Sequence, residues 1–199
     1  MNYQDKLHFG YIYHIYNRGN NKEALFKEER NYYYFLDLYR KYLHPIAHLY
    51  AYCLLPTHFH LMVRIKEWES IENCIHDENQ LWSQFRTFLG TYTKAINKTY
   101  SRSGHLFEKR YSRRIIQTDE QFFRLIVYIH QNPQNHGIVM DFRNWPFSSY
   151  DAYVKKDRRS MVAKEILFDD NLYNTILETH ENLPVKSICE ISYGGNGFL

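Results

Sequence analysis

The feature that most narrows the folds open to this chain is a pair of β-like runs, residues 48–55 and 58–65, with only Pro56 and Thr57 between them. A parallel return needs a crossover of a dozen or more residues, so runs this close pair as an antiparallel hairpin. Residues 10–16, rich in Tyr and Ile, read as another strand because they end at the turn-forming cluster Asn17-Arg18-Gly19-Asn20-Asn21. Residues 112–117 read as a fourth. Helical spacing fills the gaps: Tyr33, Leu36, Tyr39 or Arg40, and Leu43 mark a face over 29–43, and Trp82, Phe85, Phe88 or Leu89, Tyr92, and Ala95 or Ile96 mark one over 81–100. Thr118 and Gln121 suggest a capping box that opens a further helix, with Phe122, Leu125, Ile126 and Ile129 as its core stripe and Pro133 as its stop. The order β, α, β, β, α, β, α implies an α+β fold in which helices pack on one face of a mainly antiparallel sheet. We read 1–153 as the main domain, with a short helix over 146–154, and 154–199 as a C-terminal helical extension in which 164–180 is helical.

A chain of 199 residues with 44% hydrophobic residues has enough apolar surface for a substantial core, which excludes general disorder. Its longest apolar stretches are too short to cross a bilayer, and the amino terminus carries no basic region followed by an apolar segment. The expectation is a soluble cytoplasmic protein. Cys53, Cys74 and Cys189 are widely spaced and form no C-x-x-C pair, so neither a disulfide framework nor a cysteine zinc site is indicated. The net charge of +3 is unevenly spread: between Trp82 and Arg114 there are eight Lys or Arg against the single acid Glu108, a local excess of +7. Tyr92, Tyr100, Phe107 and Tyr111 lie among these cations. Such a block suits a surface that binds phosphates and stacks bases, or a solvated helix face. Lys94 and Lys98, four apart on one helix face, and Arg110, Arg113 and Arg114 are the candidate nucleic-acid contacts.

Two places carry chemistry. Strand periodicity puts His58 and His60 on one face while Phe59 and Leu61 point to the other, making a two-imidazole platform for a divalent ion that needs a third ligand from elsewhere. On the helix after Thr118, Tyr128 and Asn132 are four residues apart beside the core stripe, so a hydroxyl and an amide carbonyl project in the same direction. Gln131 also offers a carbonyl but lies further from that stripe.

Leu55-Pro56-Thr57-His58-Phe59-His60-Leu61-Met62-Val63 resembles the His-hydrophobe-His motif of the HUH single-tyrosine transposases, and Tyr128-Ile129-His130-Gln131-Asn132-Pro133 resembles their tyrosine helix. Within them the chain looks most like the REP-associated tyrosine transposases. Tyr13-His14-Ile15 with Asn17-Arg18-Gly19, Gly104-His105-Leu106-Phe107-Glu108-Lys109-Arg110 and Trp145-Pro146-Phe147-Ser148-Ser149-Tyr150 match that branch in order, so the resemblance spans about residues 11–153. It implies a ferredoxin-like fold, Mg²⁺ or Mn²⁺ as cofactor, and cleavage of single-stranded, hairpin-associated DNA. Carried over by position, His58, His60 and Asn132 are the metal ligands and Tyr128 is the nucleophile that forms a 5′-phosphotyrosine. Two departures stand out: Thr57 replaces the usual asparagine before the first histidine, and Gln134 follows Pro133 where a small apolar residue is usual. Homodimers and monomers are both compatible with the resemblance. The competing readings are a replication-initiator or relaxase nickase, a ferredoxin-like RNA-binding or RNA-cleaving protein, and an inactive descendant that only binds hairpin DNA.

Overall fold

The structure is a computed structural model that describes residues 5–71, 75 and 77–183; Cys74 and Cys189 lie outside them. Four strands, β1 (Ile12–Arg18), β2 (Ala47–Leu55), β3 (His58–Ile65) and β4 (Ser112–Ile115), form one antiparallel sheet in the order β2-β3-β1-β4. The two-residue connection does close a hairpin, with Leu55 opposite His58. Helices α1 (Glu29–Tyr42) and α2 (Glu78–Thr99) complete a β-α-β-β-α-β unit, which is the ferredoxin-like arrangement. Helix α3 (Asp119–Asn135) follows, then α4 (Tyr150–Val154), α5 (Lys164–Phe168) and α6 (Asp170–Asn182).

The sheet is apolar on both sides. Tyr13, Ile15, Phe59, Leu61 and Val63 face α1 and α2, where they join Phe35, Phe85, Phe88 and Tyr92 in one core. Ala51, Cys53, Leu55 and Met62 face the other way and pack with Leu125, Ile126 and Ile129 of α3 and with Ile166 and Ile176 of α5 and α6. Helices on one face therefore describes α1 and α2, whereas α3 covers the opposite face. The physical reason lies in β2 and β3: β2 is apolar at all positions but His48, and β3 carries an unbroken apolar run from Leu61 to Val63, so both demand cover on both sides. The segment after residue 154 is built into this second core, and its Ala163 N–H donates to Leu49 O at 2.8 Å.

The helical stripes differ from the sequence reading in phase. On α1 the buried set is Tyr32, Phe35, Leu38 and Tyr39, and Tyr33 is exposed; on α2 Leu81 takes the core position and Trp82 is turned outward. Helix α3 runs through Pro133 to Asn135 instead of stopping at it. Pro133 lies in the last turn, so it forgoes the bond an N–H would make to Ile129 O with little helix left to disrupt, and its own carbonyl accepts from Ile138 N–H at 2.8 Å. Thr118 caps the helix, its hydroxyl accepting from Gln121 N–H, but the reciprocal half of the expected capping box is displaced by one residue: Gln121 Oε1 accepts from Gln117 N–H at 2.9 Å.

Candidate active site

Residues directly opposed in an antiparallel pair share a face. The register places Arg18 opposite His58, Tyr16 opposite His60, and His14 opposite Met62, with Ser112 beside Tyr16 and Arg114 beside His14 on β4. All of them lie on the α3 side of the sheet. Helix α3 packs over β2 and β3, so the histidines sit under the helix while the β1–β4 flank of the same face is less covered, leaving Tyr16, Arg18, Ser112 and Arg114 only half-buried.

From α3, Tyr128, Asn132 and His136 recur every fourth residue and form a column over the histidines. The Tyr128 ring meets His60 edge-on at 5.5 Å between centroids and His14 at 6.2 Å; His136, at the helix C-terminus, meets His58 at 4.6 Å. Tyr128 is 6% exposed and Asn132 is fully buried. The Asn132 Nδ2 group donates to Tyr128 O at 2.9 Å. That bond fixes the amide orientation, because a flipped amide would oppose two oxygens. Asn132 Oδ1 is thereby left buried without a hydrogen bond, beside the His58 imidazole.

Each histidine is held by its Nδ1. His58 Nδ1 lies 3.0 Å from Thr57 Oγ1, and His60 Nδ1 lies 2.9 Å from His14 Nε2. Assigning the proton to Nδ1 in both makes these atoms donors and leaves each Nε2 as a lone pair, the arrangement by which outer partners orient metal-ligating imidazoles. Thr57, the departure from the family pattern, retains the oxygen this needs. Burial depresses all the imidazoles here. His58 is pushed down to about 4, with the charges of His136 and Arg18 adding to burial and the Asn132 carbonyl opposing it. His60 goes well below its ordinary value through burial and then through its histidine neighbours, and burial alone takes His14 to about 3. His136 is lowered by burial and by Arg18. All four are therefore neutral at pH 7.

Among the described residues, no group of three His, Cys, Asp or Glu side chains comes together as a metal site. A third ligand beside His58 and His60 has to be of another kind. Asn132, with an amide oxygen buried and without a partner, fits, and two neutral imidazoles plus an amide oxygen are a donor set that a divalent cation accepts. Gln131, the alternative, also has a buried amide oxygen without a hydrogen bond, but its Nε2 donates to Leu183 O at 3.1 Å, which turns its side chain to the α6 side, whereas Asn132 stands in the column over the histidines.

The five candidate DNA contacts do not converge. Arg114 shares the histidine face, Arg113 lies opposite Ile15 on the α2 side, Arg110 is exposed on the segment beside it, and Lys94 and Lys98 are exposed on α2. His14, Tyr16, Arg18 and His136 were not singled out as site residues. Period-two alternation of His14, Tyr16 and Arg18 along β1 was the available signal for three of them.

The family-like motifs meet in space. Gly19 bridges Phe107, Asn20 N–H donates to Leu106 O at 2.9 Å, and Glu108 N–H donates to Arg18 O at 3.0 Å, so the 104–110 motif is laid along the end of β1. The Trp145–Tyr150 motif is laid along β2, with Trp145 Nε1–H donating to Leu54 O at 2.9 Å and Ser149 N–H to Tyr52 O at 2.9 Å.

Similarity to known proteins points the same way. No family model matches the sequence. A curated protein of Haemophilus influenzae, named for the REP-associated tyrosine transposases, is 31% identical over 110 residues, which are 54% of this chain and 61% of that protein. The match thus spans less than two thirds of the relative's length. A solved structure described as a REP-associated tyrosine transposase bound to a REP hairpin superposes with a TM-score of 0.60 at 17% identity, covering 85% of this chain and 94% of that one. Over about half its length this chain is similar in sequence to a curated protein named for the REP-associated tyrosine transposases, and over most of its length it shares the fold of the solved one.

Proposed function

We propose that this protein is a transposase-type enzyme that nicks and rejoins single-stranded, hairpin-associated DNA, with Tyr128 as nucleophile and His58, His60 and Asn132 as the residues that hold Mg²⁺ or Mn²⁺. The observation that carries the reading is the seating of the Tyr128 ring against His60 within one chain, directly beside a buried Asn132 oxygen that lies against the His58 imidazole and accepts no hydrogen bond when the His58 proton is on Nδ1.

When bound, the cation supplies Lewis-acid polarisation of a non-bridging phosphate oxygen. The protein's own groups do the rest. Tyr128 Oη attacks phosphorus and gives up its proton as the Oη–P bond forms; the bond from phosphorus to the 3′ oxygen breaks, and that oxygen leaves as a 3′-hydroxyl after taking up a proton. The product is a 5′-phosphotyrosine, and attack by a 3′-hydroxyl of another strand end reverses the step and joins DNA. Arg18 is placed to hold the phosphate: it lies opposite His58, and its Nε is buried without a hydrogen bond, 3.7 Å from Glu108 Oε1. Arg114, on the same face, continues the positive charge towards the β4 edge. Arg110, Arg113, Lys94 and Lys98 then act at a distance from the reacting phosphate, by attracting the strand.

The test is incubation with hairpin oligonucleotides and Mn²⁺, scored for a denaturant-resistant protein–DNA adduct. The adduct is expected with the unaltered protein and is lost in Tyr128→Phe, which keeps the buried ring. His58→Ala is expected to lose Mn²⁺ binding and cleavage while still binding the hairpin. An adduct that persists in Tyr128→Phe excludes Tyr128 as nucleophile.

A further inference from the structure

On the α2 side of the sheet, away from the histidines, a cleft of about 1090 Å³ runs between α2 and residues 105–111. It is lined by Lys6, Arg86, Lys109, Arg110 and Arg113 against two carboxylates, Glu78 and Glu108. Glu78 is hydrogen-bonded to His8 at 3.0 Å and Glu108 faces Arg18 at 3.7 Å, and the five cations outnumber the two carboxylates in any case. The remaining field favours an anion. Trp82 lines the cleft and is 40% exposed, and Arg86 lies over its ring at 4.5 Å. Across the cleft Arg113 lies over the Tyr111 ring at 5.3 Å; Tyr111 is itself buried against Phe85, so Trp82 is the ring with a face open to a base.

Interleaved guanidinium and aromatic groups are what an unpaired nucleotide strand requires: planar faces for bases and cations for the phosphates between them. The polar lining argues against base-edge reading. Ser83 and Thr93 donate their hydroxyl protons to helix carbonyls of their own α2, Gln80 O and Leu89 O. Sequence-tolerant stacking is what remains. The cleft also adjoins the candidate active site. Asn17 lines it, and the next residue along β1, Arg18, is on the opposite face beside His58.

We propose that this cleft is a second DNA subsite, which takes the unpaired nucleotides flanking the cleaved position by stacking a base on Trp82 and holding phosphates with Arg86, Lys109 and Arg110. The proposal rests on the reading of the chain as a DNA-processing protein.

It is tested with the full chain in EDTA, using hairpin oligonucleotides that carry a 5′ or 3′ single-stranded tail containing 2-aminopurine, or no tail. The expected result is quenching of the tail fluorophore on binding, loss of that quenching in Trp82→Ala, roughly tenfold weaker binding of the tailed oligonucleotide by that variant, and unchanged binding of the tailless one. Trp82→Phe is expected to restore most of the quenching. Unchanged quenching and affinity in Trp82→Ala overturn the proposal. Because no cleavage is needed, the two readings fail separately. Tail quenching without any Mn²⁺-dependent adduct leaves the cleft standing and sinks the nuclease; an adduct without tail quenching does the reverse.

Discussion

Thr57 shows how a single hydroxyl supports a neighbouring group. Its Oγ1 is the partner of His58 Nδ1, and an imidazole without that contact can rotate or adopt the other tautomer. Thr57→Val, which keeps the shape and removes the acceptor, is expected to weaken Mn²⁺ binding about 10- to 100-fold, with Thr57→Ser near the starting affinity; titration calorimetry with Mn²⁺ reads both. Equal affinity in all three proteins would show that His58 is oriented by packing alone. At this scale the sequence was legible where one element fixes direction: alternation put His58 and His60 together, and four-residue spacing put Tyr128 beside Asn132. It marked His14 and Arg18 as parts of family-like motifs but assigned them no role in the site, because their placement depends on which residue of β3 each one opposes. A one-residue slip in that register would have sent both to the α2 side. His136 was missed for a different reason, since it joins the column only because the helix continues past Pro133.

At the scale of elements, α3 is the member that assembles the site, and it is buried on more than one side. One flank meets the sheet and another meets α6, where His130 Nδ1 lies 2.9 Å from His180 Nε2 and His130 Nε2 lies 2.7 Å from Ser149 Oγ. The chain of bonds ends at Ile176 O, which accepts from His180 Nδ1. That acceptor fixes the order of protons, so His180 Nε2 accepts from His130, and His130 accepts from the serine. Burial drives His130 well below the ordinary histidine range and His180 to about 4. In the unfolded chain both titrate near about 6.5. Their neutral forms therefore favour the folded state above that pH, and the contribution falls away as pH drops from about 6.5 towards 4, where only the unfolded chain binds the protons. The urea midpoint is expected to be lower at pH 5 than at pH 7.5, with a smaller drop in His180→Phe; a midpoint independent of pH in this window would contradict the neutral pair. The sequence indicated element order and strand pairing well. It misjudged which side chains α1 buries, because Tyr32, Tyr33 and Tyr34 are consecutive and equally apolar, and the helix turns the first inward by packing against Phe26 and Phe147.

At the scale of the whole molecule, Tyr128, the proposed nucleophile, seats against His60 of the same chain, so on that reading one copy suffices to complete the site. Mixing His58→Ala with Tyr128→Phe is therefore expected to give no adduct above that of either variant alone. Recovery on mixing would show that the tyrosine helix serves another subunit. The molecule also places the two regions proposed to bind DNA back to back. β1 is a single strand thick, and its consecutive residues Asn17 and Arg18 belong to different regions, the amide to the cleft and the guanidinium to the histidine face. Anything that shifts this strand end is felt on both sides of it. Linkage then imposes a condition that no detail of the chemistry can escape: whatever factor DNA in the cleft contributes to cation affinity at the histidines, the cation must return to the cleft's affinity for DNA in equal measure.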